Sequence, residues 1–196
     1  MVGLGNPGDR YTGTRHNVGF DVVQAFARRT AGRLPRLDRL DCRALTGRVR
    51  VGDRPVVVAR PQTYMNASGE SVKGLALKYD VPLERLIVVS DDTALPVGAI
   101  RIRRSGSSGG QKGLQSVIEC LGTNAIPRLR LGVRGENLRP GEALDTYVLS
   151  RFSKKERPVV DEAIASACDA LAVFVTEGID AAMNRFNRSP EEDPPS

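Results

Sequence analysis

Val2-Gly3-Leu4-Gly5-Asn6-Pro7-Gly8-Asp9-Arg10-Tyr11-Thr12-Gly13-Thr14-Arg15-His16-Asn17 opens the chain, and how it is read decides the fold. Gly3 to Gly8 match the GxGxxG fingerprint of dinucleotide-binding sheets. That fingerprint needs a helix starting at the glycine loop, so that the helix N-terminus can hold a pyrophosphate. Residues 9–17 contain Gly13 and no apolar period, so the helix begins too late for a nicotinamide or flavin site. The same stretch carries His16, the only histidine among 196 residues. Histidine is the side chain whose ordinary charge change falls near neutral pH. Acid–base chemistry at pH 7 therefore has one obvious seat. Val2-Gly3-Leu4 reads as a first strand short enough that a few further residues are expected before Met1.

Downstream, strands and helices alternate without repeats. Val18 to Thr30 places Val18, Val22, Val23 and Phe26 at helical spacing. Leu45 to Val51, a Gly52-Asp53 turn and Val56-Val57-Val58-Ala59 read as a hairpin. Ser68 to Tyr79 reads as a helix with Val72, Leu75, Ala76 and Tyr79 on one face. Leu86-Ile87-Val88-Val89 is a continuous apolar run, as in a strand buried on both faces. Ala99 to Arg103 and Arg128 to Val133 read as strands, and Gly113 to Leu121 as a short helix. Ser153-Lys154-Lys155-Glu156 fits a capping box that opens a helix through Thr176. Gly178 to Phe186 reads as a last helix. This order predicts an α/β fold, one domain over residues 1–188 around a central sheet. The polar, proline-rich residues 189–196 are expected to be a disordered tail. The polar stretch 135–146, with Pro140 and Gly141, is expected to form a lid.

Composition narrows the function class. No apolar run approaches the roughly 20 residues that span a bilayer, so no membrane partner is expected. Cys42, Cys120 and Cys168 are widely spaced and odd in number. With one histidine they make no plausible zinc site, and their spacing suits a reducing cytoplasm. The formal charge is +6, and 24 Arg against 5 Lys make up the 29 basic residues. Arginine offers a planar fork of donors suited to phosphate, so a polyanionic partner is expected. Aromatic residues are only 5% of the chain, which disfavours gripping single strands by stacking.

Three further motifs carry candidate chemistry. Gly106-Ser107-Ser108-Gly109-Gly110 matches the GxSxG nucleophile elbow, but that fold needs a histidine after the serine, and His16 lies before it. A loop contacting phosphate is the better reading. Gln62-Thr63-Tyr64-Met65-Asn66-Ala67-Ser68-Gly69 reads as a helix start with Asn66 or Ser68 as cap. Asn66 also follows an apolar strand, at the edge where α/β sheets usually hold ligands. Ser90-Asp91-Asp92-Thr93 ends the most buried strand. Its carboxylates suit a turn cap, a metal, or the orientation of His16, since a carboxylate on one imidazole nitrogen leaves the other free to take a proton from water.

Read together, these residues resemble the bacterial peptidyl-tRNA hydrolase family over nearly the whole chain. The match runs from Gly3–Gly8 through Tyr11, Thr14–Phe20 and Tyr64–Gly69. It continues through Asp91, Leu95-Pro96, Gly98 and Pro127–Gly132 to Tyr147-Val148-Leu149 and Phe152. The resemblance implies a twisted mixed sheet flanked by helices, a monomer, and no metal or organic cofactor. It implies hydrolysis of the ester between a peptide and the terminal ribose of tRNA. It assigns His16 as general base and Asp91 as its orienting carboxylate. Asn6 and Asn66 match the asparagines that hold the ester, the peptide backbone and the terminal adenosine. Tyr11 and Met65 match contacts near the tRNA 3′ end, and Arg103 and Arg130 match basic partners of tRNA phosphate.

The chain departs from the family pattern in two places. The family usually has Gly-Gly-His-Asn-Gly where Gly109-Gly110-Gln111-Lys112-Gly113 stands here. Lys112 can donate but not accept, so two readings stand: it serves part of the asparagine's contact, or it reaches a phosphate instead. The usual acidic residue three positions after Asp91 is Ala94. Asp91 to Pro96 is also similar to a chloroplast relative that assists intron splicing, which would make the protein an RNA-binding partner without hydrolytic activity.

Overall fold

The computed structural model describes residues 1–31, 37–136, 138, 141 and 143–187. The expected tail at 189–196 and positions 137, 139, 140 and 142 of the expected lid lie outside the described residues. Among the described residues seven strands form one mixed sheet: β1 (Val2–Gly3), β2 (Arg39–Asp41), β3 (Ala44–Val51), β4 (Arg54–Pro61), β5 (Val88–Pro96), β6 (Ile100–Arg103) and β7 (Arg128–Arg134), in the order β2-β3-β4-β1-β5-β7-β6. The centre is parallel, with Val2 opposite both Ala59 and Val88, and Val89 opposite Leu129. Both edges are antiparallel: β2-β3-β4 is a meander at one side, and β6 pairs β7 at the other across a connection that contains the helix at Lys112–Leu121.

Six α-helices among the described residues flank the sheet: α1 (Val18–Ala31), α2 (Ser68–Lys78), α3 (Lys112–Leu121), α4 (Leu144–Val148), α5 (Glu156–Glu177) and α6 (Ile179–Phe186). Alternation along the strands divides the core. Val89, Ile102, Leu129, Leu131 and Val133 face Val22 and Phe26 of α1 and Ala167 and Leu171 of α5. Val2, Leu4 and Val88 face Val72 of α2 and Leu114 and Val117 of α3. The close seat of α1 on β1 depends on two glycines. A Cβ on Gly3 would lie 2.1 Å from the Gly19 carbonyl oxygen, and one on Gly19 would lie 2.5 Å from those of Leu4 and Val89.

The opening loop is two 3₁₀ turns, Asp9–Tyr11 and Arg15–Asn17, and α1 begins only at Val18. No α-helix starts at Gly3–Gly8, as the missing apolar period implied. The capping box is reciprocal: Ser153 N–H donates to Glu156 Oε2 at 2.7 Å, and Glu156 N–H to Ser153 Oγ at 3.2 Å. Three expectations are corrected. The buried strand starts at Val88 and continues past Asp92, across a register shift, to Pro96. Neither Asn66 nor Ser68 caps α2, because Met65–Ala67 forms a 3₁₀ turn that runs directly into the helix. Strand β2 and helix α4 were not expected, being only three and five residues long.

Candidate active site

His16 sits in the 3₁₀ turn before α1, and Asp91 sits on β5, the strand next to β1. The fold brings them together across 75 positions of sequence, with His16 Nδ1 2.8 Å from Asp91 Oδ2. Both side chains are buried, Asp91 to 2% exposure. An ionised carboxylate only accepts, so a neutral imidazole facing it carries its proton on Nδ1 and keeps the lone pair on Nε2.

The turn that carries His16 is held on both sides. Asn6 N–H donates to Asn17 Oδ1 at 2.8 Å, and Asn17 Nδ2 donates to the Asn6 carbonyl at 2.9 Å. On the other side Arg15 is wholly buried. Its guanidinium donates to the Val133 carbonyl at 3.0 Å, to Ser150 Oγ at 3.2 Å, and to both oxygens of Glu156 at 2.9 and 2.8 Å. It lies between the rings of Tyr147 and Phe152, at 4.6 and 4.7 Å from their centroids. Burial pushes the Glu156 carboxyl up, but the bonds from Arg15 and Ser153 outweigh it and hold it below the ordinary range.

Asn6 has a polarised amide. Its Oδ1 accepts Met65 N–H at 2.9 Å, while its Nδ2 has no partner among the described residues. Met65, 4% exposed, meets the site through this backbone N–H and through its sulfur, which packs on Gln111. Asn66 is exposed and lines a groove with Ser108, Gly110, Lys112 and Gln115. Tyr11 is half-buried in the first 3₁₀ turn beneath the guanidinium of Arg10.

The two adjacent carboxylates divide their work. Asp92 Oδ1 accepts Ala94 N–H at 2.8 Å, capping the bend in β5. Its Oδ2 lies 2.8 Å from Arg130 Nη1, an ion pair off the hydrogen-bond direction. Arg130 therefore lines the same cleft as His16, Asp91, Leu144 and Val148. Arg103 is exposed outside it, on the β6 end that pairs with Arg128. Lys112 is at the cleft rim and is ion-paired with Asp145 of α4. Among the described residues no cluster of three His, Cys, Asp or Glu side chains is placed to hold a metal, and no helix is long and apolar enough to cross a membrane.

Sequence reading missed Gln111, Asn17 and Arg15 as parts of this site. Gln111 Nε2 donates to Asp91 Oδ1 at 2.9 Å, and its Oε1 accepts Leu114 N–H at 2.6 Å as the cap of α3. The available signals were a glutamine just ahead of a helical period, and the two polar neighbours of the lone histidine.

A buried His–carboxylate pair beside an amide with an open donor is an arrangement suited to acid–base chemistry. The comparisons narrow that chemistry. The family model described as peptidyl-tRNA hydrolase matches residues 1–194. The peptidyl-tRNA hydrolase of Alkaliphilus metalliredigens is 45% identical over 187 residues, covering 95% of this chain and 98% of that one. That of Salinibacter ruber is 46% identical over 186 residues, covering 95% and 96%. The crystal structure of the Acinetobacter baumannii peptidyl-tRNA hydrolase superposes with a TM-score of 0.84 at 32% identity, covering 95% of this chain and 92% of that one. The chain belongs to the peptidyl-tRNA hydrolase family.

Proposed function

We propose that the protein hydrolyses the ester joining a peptide to the terminal ribose of tRNA, with His16 as general base and Asp91 as its orienting carboxylate. The observation that carries this reading is the 2.8 Å contact between His16 Nδ1 and the buried Asp91 carboxylate. It leaves Nε2 free to take a proton from water as the water oxygen attacks the ester carbonyl. The imidazolium that forms is stabilised by Asp91. The tetrahedral oxyanion then collapses, the C–O bond to the ribose breaks, and the imidazolium returns the proton to the departing ribose oxygen. Peptide carboxylate and free tRNA result.

Asn6 Nδ2 supplies a donor for the ester or its oxyanion, and Asn66 on the neighbouring groove serves the peptide backbone or terminal adenosine. Tyr11 and Met65 flank the 3′ end. Arg103 and Arg130 meet tRNA phosphates, and Lys112 serves the same polyanion once it leaves Asp145. One chain supplies every group named, and the family resemblance and the cysteine usage favour a monomer acting in the cytoplasm.

The test is peptide release from a purified peptidyl-tRNA by His16→Ala. A general base contributes about 10²–10⁴-fold, so release falls by that factor while tRNA affinity stays near wild type. A variant that keeps more than half the activity ends the base assignment, whereas a wild-type protein that releases no peptide favours the similarity to the splicing partner of chloroplasts.

A further inference from the structure

We propose that Gln111 is a positioning residue for the His16–Asp91 pair: its amide fixes the rotation of the Asp91 carboxylate and couples it to the first turn of α3. The proposal rests on the general-base reading above. Gln111 is not free to choose its orientation. Its Oε1 is committed to Leu114 N–H at 2.6 Å, and a backbone N–H can only donate. The NH₂ end must then face the other way, where Nε2 donates to Asp91 Oδ1 at 2.9 Å and reaches Met65 Sδ at 3.3 Å.

Asp91 is thereby held at both oxygens, Oδ1 by Gln111 and Oδ2 by His16. A carboxylate turns over a broad torsional well when nothing holds it. With Oδ1 anchored, Oδ2 stays aimed at Nδ1 through each cycle of protonation. The backbone before Gln111 is built to deliver this contact. Gly106, Gly109 and Gly110 all adopt positive φ (138°, 60° and 84°), and the helix begins one residue after Gln111. The other charged groups facing the cleft are Asp92 on β5, Arg130 on β7, Lys112 on α3 and Asp145 on α4. Arg130 pairs with Asp92 and Lys112 with Asp145. Among the described residues, only His16 and Gln111 bond to the Asp91 carboxylate.

The experiment measures kcat and KM for peptide release across pH by wild type, Gln111→Leu, Gln111→Glu and His16→Ala. Gln111→Leu removes the donor to Asp91. Its kcat falls about tenfold, the rate equivalent of one charge-assisted hydrogen bond, with KM within about twofold. Gln111→Glu keeps an acceptor for Leu114 N–H, so the helix cap survives. It sets two carboxyls against each other, which raises the pKa of one of them, so that it takes up a proton as pH falls. When the introduced carboxyl is protonated it donates to Asp91 as the amide did. The ratio of variant to wild-type kcat/KM therefore climbs at least about fivefold as pH drops from roughly 8 to 5.5. A cap with no part in positioning leaves that ratio flat. The proposal is overturned by a Gln111→Leu kcat within twofold of wild type, or by a flat ratio for Gln111→Glu. His16→Ala separates the two levels. If it is inactive while the Gln111 variants match wild type, only the role of Gln111 falls. If it stays active, the base assignment falls as well.

Discussion

Asp91→Asn is the most informative single change, because Gln111 dictates how the new amide must sit. Gln111 Nε2 is a donor and needs an acceptor at its present 2.9 Å contact, so the carbonyl end of the new amide turns toward Gln111. Its NH₂ end then faces His16 Nδ1, now 2.8 Å from a donor instead of an acceptor. Nδ1 must give up its proton, the proton moves to Nε2, and the lone pair that should meet water is gone. Two losses combine. Replacing a charge-assisted bond costs about 1.5–3 kcal/mol, and the wrong tautomer adds to it. A serine-protease triad with the same change loses about 10⁴-fold, so the expected fall in kcat here is about 10²–10⁴-fold. Asp92→Asn keeps the oxygen that caps Ala94 N–H and loses only an ion pair to Arg130, so its rate stays within about threefold. The decisive variant is double. Adding Gln111→Glu to Asp91→Asn supplies an acceptor where a donor stood, lets the amide turn over, and presents its carbonyl to Nδ1–H. Release should rise at least about tenfold over Asp91→Asn alone, although Gln111→Glu by itself is harmful near neutral pH. Nitrogen NMR of the ring reads the tautomer directly, since the chain has one histidine. A double variant no faster than Asp91→Asn, or Asp92→Asn more damaging than Asp91→Asn, refutes the reasoning.

Three other outcomes are expected. Arg103→Ala removes an exposed cation and should lower the slope of log K for tRNA against log salt by about 0.7–0.9, with peptide release from a substrate lacking the tRNA body unchanged; equal losses on both substrates would make Arg103 structural. Arg15→Met leaves Glu156 without its buried partner and should destabilise the fold by about 3–5 kcal/mol in urea titrations, and a loss under 1 kcal/mol would show that the bidentate pair does not anchor the His16 turn. Burial raises the Asp21 carboxyl to about 6, against the pull of Arg157 and Arg60. The folded state then binds the Asp21 proton more tightly than the unfolded chain, so native stability falls as pH climbs from 4 through 6. Asp21→Asn should recover about 1 kcal/mol at pH 7.5 and nothing at pH 4, a figure reduced from the full shift because the side chain is 32% exposed. An equal effect at both pH values would assign the change to packing.

The hairpin, the long helices and the buried strand could be read from the sequence because each carries its own periodicity. Strand β2 could not, since Arg39-Leu40-Asp41 gives a single alternation and is a strand only because Thr46 and Leu45 lie opposite it. Helix α4 is one turn, held by Tyr147, whose hydroxyl donates to the Val133 carbonyl at 2.9 Å and accepts Gly135 N–H at 2.8 Å. The continuation of β5 to Pro96 was hidden by the bend that Asp92 caps. Within the site, His16 stands out as the chain's one histidine and Asp91 by its position after an apolar run. Gln111 does not, because a glutamine ahead of a helix reads as a cap, which it is, and its second bond depends on where β5 ends. Arg15 gives a misleading signal: arginine is abundant in this chain, and nothing local marks this one as wholly buried.

The strand order has a consequence for a chain made from its N-terminus. β1 has its sheet neighbours at Ala59 and Val88, and the turn carrying His16 is braced by Val133 and Glu156. A growing copy is itself a peptide esterified to tRNA, the very kind of molecule that the proposed activity cleaves. Until Asp91, Gln111 and Glu156 have emerged, its lone imidazole has neither a carboxylate to fix its tautomer nor a braced turn to stand on. Long-range parallel pairing of this kind closes late. The site is thus assembled from segments spread from Asn6 to Glu156, and it is complete only after most of the chain has been made.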